Sequence, residues 1–285
     1  MLVTGANGIT GTELIKQLSS PAAAVRAMVR RQDPGRRPMP GVKYVTADFD
    51  DPVSIRRALE GVESAFLVTN SSARVEAQQL DFVRTARAAG LGHIVYLSQL
   101  HAAVDSPVRF LRYHAAVENA IAASGMCFTH LRPNLYMQGL LGFRRSIAAQ
   151  GKFFAPMSDA AVSLVDVRDI AAVAAKALVD AEHHGKIYDI TGPKALTHAE
   201  MAAQLSEALG KNITFVDIPK AAMRDAALEF GMPQWQADGL IEDYTHYRRG
   251  EASSVSSAIL DVTGLPARAF ADFARDYARA FSSQP

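Results

Sequence analysis

"LVTGANGITG", residues 2–11, is the stretch on which the fold turns. A short apolar run enters glycines at positions 5, 8 and 11, and a helical pattern, "TELIKQLSS", follows at once. Each glycine has a physical use at such a junction. Gly5 can turn the chain sharply, Gly8 lets backbone approach a pyrophosphate, and Gly11 lets helix pack close to strand. A helix starting there offers free N–H groups and the positive end of its dipole to an anion. Three glycines alone say little; their meaning comes from what surrounds them.

What surrounds them is an alternation of strands and helices. "AVRAMVR" and "VKYVTADF" read as strands, then "DPVSIRRALEG" as a helix with Pro52 early and Gly61 at its end. "SAFLVTN" is a strand, "RVEAQQLDFVRTARAAG" a helix, "HIVYLS" a strand, "PVRFLRYHAAVENAIAASG" a helix and "MCFTHLRP" a strand. The strands are nearly continuous apolar runs, as in a parallel sheet covered on both faces. The expected fold is α/β: a Rossmann-type doubly wound parallel sheet over 1–135, with 160–192 returning to it. Residues 136–285 are expected to form a smaller α+β lobe on the substrate side. There "LTHAEMAAQLSEALG" carries a capping box, Thr197 to Glu200, and "PARAFADFARDYARAF" places Phe270, Phe273, Tyr277 and Phe281 on one face for burial.

Composition narrows the function. The chain has 285 residues, 49% hydrophobic and 21% charged, with a net charge of +1, so no bulk field favours nucleic acid or an acidic membrane. Neither nucleic acid nor a membrane is expected as a partner; a homodimer is left open. One cysteine, Cys127, excludes an internal disulfide and a multi-cysteine metal site, and a cytoplasmic setting is expected. Cys127 sits in an apolar run and reads as core. His183 and His184 lack a third ligand at metal-like spacing and read as a solvated helix end, so no metal site is expected.

The end of the second strand bears on the cofactor. An NAD site places an acid there for the ribose 2′-hydroxyl, whereas "AMVRR" supplies Arg30 and Arg31. A guanidinium at this point suits a 2′-phosphate through bidentate, charge-assisted hydrogen bonds. NADP(H) is therefore preferred, while Asp33 keeps NAD(H) open. Asp48 and Phe49, after the third strand, are placed to hydrogen-bond and cover an adenine.

Taken together, "LVTGANGITG", "ADFDD", "FLVTN", "YLSQLHA", "SGMCFTHLRPNLYMQ" and "GKIYDITGPKALTHAEMA" resemble the NmrA-like branch of the atypical short-chain dehydrogenases. The likeness covers nearly the whole chain. It lies nearest the type 2 NAD(P)H:quinone oxidoreductases and the triphenylmethane and azo dye reductases, in a branch that also contains nucleotide-binding regulators. The resemblance implies that Gly5, Asn7, Gly8, Ile9 and Thr10 hold the pyrophosphate and Arg30 the 2′-phosphate. Val68, Thr69 and Asn70 would pass beneath the cofactor ribose, and Ser98 would lie near the nicotinamide with Leu100. Pro133 would meet the cofactor at the start of a substrate-side wall that includes Tyr136 and Met137.

The same likeness exposes a departure. In "FLRYHAAVEN", residues 110–119, Phe110 stands at the Tyr position and His114 at the Lys position of ordinary members, with Glu118 where related epimerases carry Glu. The quinone reductases similarly carry His. Loss of the phenol removes an acid that contributes typically about 10²–10⁴-fold to ketone reduction. A quinone gives a phenolate with pKa about 10, which water can protonate. Quinones and conjugated dyes are thus the expected acceptors, by direct hydride transfer without flavin or metal. Sugar-nucleotide chemistry, which needs the Tyr and Lys, is disfavoured; a non-catalytic NADP(H)-binding redox sensor is the alternative. His114 is the catalytic candidate, through the nicotinamide ribose or by assisting protonation. Tyr113 reads as structural, and His101 as either pocket lining or surface loop.

Overall fold

The computed structural model describes residues 1–282. The amino-terminal elements run β1 (Leu2–Val3), α1 (Ile9–Leu18), β2 (Val25–Val29), β3 (Val42–Thr46), α2 (Pro52–Leu59), β4 (Ser64–Leu67), α3 (Val75–Ala88), β5 (His93–Leu97), α4 (Arg109–Ala122) and β6 (Cys127–Pro133). They form one sheet in the order β3-β2-β1-β4-β5-β6, extended beyond β6 by the strand Lys186–Ile190. Every pairing from β3 to β6 is parallel, with Leu2 opposite both Arg26 and Ala65. The order reverses direction between β1 and β4. Open α/β sheets place ligands at such a reversal, beyond the carboxyl ends of the strands.

The strands form because both faces are covered. β4 and β5 are buried at every position, and Leu2, Phe66, Ile94 and Val95 are fully enclosed. α2 begins where Asp51 accepts the N–H groups of Val53 and Ser54, with Pro52 in the first turn. α3 buries Val75, Gln79, Phe82, Val83 and Ala86 along one stripe.

The chain divides into two compact units. The first comprises Met1–Ser106, Leu111–Arg132 and Ile170–Tyr188; the second comprises Pro107–Phe110, Pro133–Asp169 and the chain from Asp189 onward. Within the second, Lys152–Ala155 pairs in parallel with Thr214–Asp217, and Leu196–Thr197 antiparallel with Ala161–Val162. Its helix His198–Leu209 carries the capping box between Thr197 and Glu200. Phe270, Phe273 and Phe281 are buried in its core, while the helix breaks at half-buried Tyr277. Among the described residues, no helix is long and apolar enough to cross a membrane.

Two expectations are corrected. Cys127 is exposed, not core: it is the first residue of β6, and enclosure of that strand begins only with Thr129. His183 is not solvated: it is 4% exposed, and its Nδ1 lies 2.9 Å from the Tyr188 hydroxyl, while His184 remains outside. Asp180 and Glu182 also bring ligand atoms within 4.8 Å of one another and of His183, a proximity that linear spacing hid.

Candidate functional site

The glycine turn is built around a close approach to β4. Thr4, fully buried, accepts the Val68 N–H at 2.8 Å and donates to the Val68 carbonyl, also at 2.8 Å. Gly5 has φ of +58°, and a Cβ there would stand 2.6 Å from Val68 Cγ1. Only glycine satisfies both the backbone and the contact. The Gly8 N–H closes the turn on the Gly5 carbonyl at 2.8 Å. A Cβ on Gly11 would lie 2.2 Å from that same carbonyl oxygen, so the helix can start here only with glycine in its first turn.

The turn leaves α1 with an open amino terminus. Gly8 caps it without a side-chain hydrogen bond, and no acid occupies the first turn. The orphan N–H groups and the dipole are therefore available to an anion. Thr10 is buried, but the Ile9 side chain is 55% exposed, an apolar surface awaiting cover.

In front of this terminus lies a cleft of about 710 Å³, within the roughly 300–1,000 Å³ of small-molecule sites. Gly5, Asn7, Gly8, Arg30, Asp48, Phe49, Val68, Thr69 and Asn70 all line it, so residues scattered over 66 positions meet in one place. Arg30 and Arg31 border it without an ion-pair partner among the described residues. Asp33 instead accepts the Gly35 N–H at 3.0 Å, closing its own turn. Asp48 similarly accepts the Asp50 N–H at 3.0 Å, and Phe49 rests 5.7 Å from the Phe82 ring. A dinucleotide fits this frame: a glycine cradle that a Cβ would fill, an open helix terminus and two unpaired guanidinium groups.

Arg36, in the loop between β2 and β3, reaches the cleft lining through Asn7. Its Nη2 donates to Asn7 Oδ1 at 2.7 Å, while its guanidinium stacks 4.2 Å over Tyr44.

Ser98 and His114 lie deeper in the same unit. Ser98 is 4% exposed, and its Oγ has no hydrogen-bond partner. An enclosed hydroxyl without a partner is uncommon enough to mark a place where a ligand group is missing. His114, on α4, is 8% exposed; burial lowers its pKa to about 3. It is neutral at ordinary pH and cannot serve as a charged acid. Its Nδ1 stands 2.7 Å from the Tyr96 hydroxyl, which donates to Gln79 Oε1 at 2.8 Å. Tyr113 packs 4.1 Å from the His114 ring, and Glu118 is held by Arg132 through two hydrogen bonds of 2.9 and 2.5 Å. Leu100 is buried in this unit.

Phe110, Pro133, Tyr136 and Met137 fall in the second unit. Phe110 packs against Trp235 at 5.3 Å. Pro133 is buried, Tyr136 is half-buried and bridges Val165 through its backbone, and Met137 is only 2% exposed. Met137 borders a small cavity of about 90 Å³ with Leu164, Leu196 and Phe270.

Gln79 and Tyr96 went unremarked in the sequence, although each carries a signal. Gln79 shares the apolar stripe of α3 with Val75, Phe82, Val83 and Ala86. Tyr96 lies in a strand buried on both faces, where a phenol needs a partner.

Residues 1–259 match the NmrA-like family. The NAD(P)H azoreductase of Xenophilus azovorans is 34% identical over 284 residues, covering 99% of each chain. The (4-alkanoyl-5-oxo-2,5-dihydrofuran-3-yl)methyl phosphate reductase of Streptomyces griseus is 35% identical over 287 residues, covering 100% of each. Among solved structures, the NADPH-dependent quinone oxidoreductase of Escherichia coli complexed with NADPH superposes with a TM-score of 0.84 at 28% identity, over 96% of this chain and 98% of that one. With a match of this length and full-length relatives above 30% identity, the chain belongs to the NmrA-like family.

Proposed function

We propose that this protein is an NADPH-dependent oxidoreductase that reduces quinones or conjugated dye-like acceptors, with hydride passing directly from the nicotinamide and no flavin or metal between. The observation that carries the reading is the conjunction of the glycine-turn cleft with unpaired Arg30 and Arg31 and a neutral, enclosed His114. The azoreductase and quinone oxidoreductase relatives support the same reaction class.

In this reading the first turn of α1, through Gly8, Ile9 and Thr10, holds the pyrophosphate, and Gly5 and Asn7 shape the approach. Arg30 pairs with the 2′-phosphate, and NAD(H) remains usable at lower affinity. Asp48 and Phe49 bound the adenine, while Val68, Thr69 and Asn70 run beneath a ribose. Ser98 and His114 lie toward the nicotinamide end. Bound there, the cofactor supplies a hydride.

His114 is held neutral, and Phe110 offers no hydroxyl. The protein therefore favours acceptors whose reduced oxygen is a phenolate of pKa about 10, or whose accepting carbon needs no proton. The Streptomyces griseus relative is named for a conjugated lactone phosphate, which belongs among the acceptors to be tried.

The test is NADPH and NADH titration of purified protein, followed by coenzyme oxidation with quinones, azo and triphenylmethane dyes and conjugated lactones. Turnover with at least one acceptor and tighter NADPH than NADH binding are expected. Tight NADPH binding with no oxidation across the panel would overturn the enzymatic reading.

A further inference from the structure

Four side chains of the first unit form a buried hydrogen-bond chain that links the cleft wall to His114. Gln79 Nε2 donates to Thr69 Oγ1 at 2.9 Å, and Thr69 lines the cleft. Gln79 Oε1 accepts from the Tyr96 hydroxyl at 2.8 Å. Tyr96 Oη lies 2.7 Å from His114 Nδ1. Gln79 is 2% exposed, Tyr96 fully enclosed and His114 8% exposed, so water cannot substitute freely for any member.

The direction of the chain decides the tautomer of His114. A phenol has one proton, and that of Tyr96 is committed to Gln79 Oε1. The 2.7 Å contact with His114 is then a hydrogen bond only if Nδ1 carries the proton and donates to the phenol oxygen. A neutral imidazole protonated at Nδ1 has a lone pair at Nε2. The contact with Tyr96 is made at Nδ1, which leaves that lone pair on the other edge of the ring.

We infer that Gln79 and Tyr96 are positioning residues that lock His114 in its Nδ1–H tautomer and present Nε2 as a hydrogen-bond acceptor for a ligand hydroxyl. The role assigned to that acceptor, contact with the cofactor's ribose, rests on the function proposed above; the tautomer does not. The arrangement also withholds a donor from the site. A carbonyl oxygen of an acceptor gains no hydrogen bond from His114, whereas a hydroxyl does. The site thereby discriminates by hydrogen-bond polarity rather than by charge.

The polarity follows the Gln79 amide, whose Nε2 faces Thr69 and whose Oε1 faces Tyr96, and the reversed amide is the arrangement the test must exclude. With the amide reversed, Tyr96 would donate to Nδ1, and Nε2 would carry the proton. Nitrogen-15 NMR of histidine-labelled protein distinguishes a protonated from an unprotonated ring nitrogen directly, with His114→Gln used to assign the signal. Wild-type protein without nucleotide is expected to show His114 protonated at Nδ1. Gln79→Met removes the acceptor of the Tyr96 proton, so the phenol should turn to Nδ1 and move the ring proton to Nε2. Tyr96→Phe should leave a mixture of both tautomers.

A wild-type ring protonated at Nε2, or a tautomer unmoved by Gln79→Met in protein that melts cooperatively, would overturn the inference. NADPH titration of the wild type reads the other question. Failure to bind would remove the ribose role while leaving the tautomer result standing. If both hold, Tyr96→Phe should weaken NADPH binding by about three- to tenfold, the scale of one lost hydrogen bond.

Discussion

Arg36 is tied to Asn7. Its Nη2 lies 2.7 Å from the amide oxygen, and the ring of Tyr44 supports the guanidinium from behind. Five residues separate Arg36 from Arg30, yet the loop brings it back to the glycine turn, where it holds Asn7 of the cleft wall rather than waiting in solvent. Arg36→Ala should loosen Asn7 and weaken NADPH and NADH alike, by about three- to tenfold in KM. A selective effect on NADPH would instead assign Arg36 to the 2′-phosphate.

Arg30 should behave differently. A charge-assisted hydrogen bond is worth about 1.5–3 kcal/mol, so Arg30→Ala should raise KM for NADPH by about ten- to a hundredfold. KM for NADH should change by less than about threefold, because the 2′-hydroxyl offers no charge to lose. Steady-state kinetics with both coenzymes decides it; equal losses would remove Arg30 from the phosphate.

Gly11→Ala should damage the turn itself. The added carbon would meet the Gly5 carbonyl at 2.2 Å, and neither atom belongs to a flexible side chain. A cost of about 1–3 kcal/mol in stability is expected from overpacking, with NADPH binding largely lost. Thermal melting and coenzyme titration on one preparation separate the two effects. Unchanged binding would show that the turn can relax.

Four buried histidines predict acid sensitivity. Burial lowers His93, His130 and His198 to about 4 and His114 to about 3, with His184 and His183 adding to the effect at His93. In the unfolded chain each ring takes its proton near pH 6.5, and in the folded protein only at those lower values. The unfolded state therefore binds more protons below pH 6.5. The stability associated with neutral burial is whole above that pH and is lost as pH falls toward 4, by up to about 1.4 kcal/mol per pH unit per ring. Denaturant unfolding at pH 7.5, 6 and 5 should show the decline. A flat profile would contradict neutral burial of the rings.

Glu118 belongs to stability rather than chemistry. It is 5% exposed and held by Arg132 on β6. Removing one partner of such a pair costs about 3–5 kcal/mol, because the other charge stays half-enclosed. Glu118→Ala should lower the melting temperature sharply, while kcat of the surviving folded fraction stays near that of the wild type. Loss of kcat without loss of stability would return Glu118 to the reaction.

The fold was legible because its signals are local. The glycine turn, the apolar strands, the Asp51 and Thr197 caps and the helix-closing glycines each depend on a few neighbouring residues. The gathering of Asn7, Arg30, Asp48 and Thr69 in one cleft follows from strand order, which the alternation implies. Contacts made across elements were less accessible. Arg36 meets Asn7 only because the loop 30–41 doubles back, and the Gln79–Tyr96–His114 chain joins α3, β5 and α4. Cys127 and His183 were misread for a related reason: apolar or polar neighbours in sequence do not tell where a strand emerges or a short turn folds inward.

The exposed start of β6 has a practical corollary. Because Cys127 is the only cysteine in the chain and its side chain is open to solvent, a maleimide dye should attach once per molecule without any engineering. The label would sit at the amino-terminal end of β6, while the cleft lies beyond the carboxyl ends of the parallel strands, so tagging should leave coenzyme binding undisturbed.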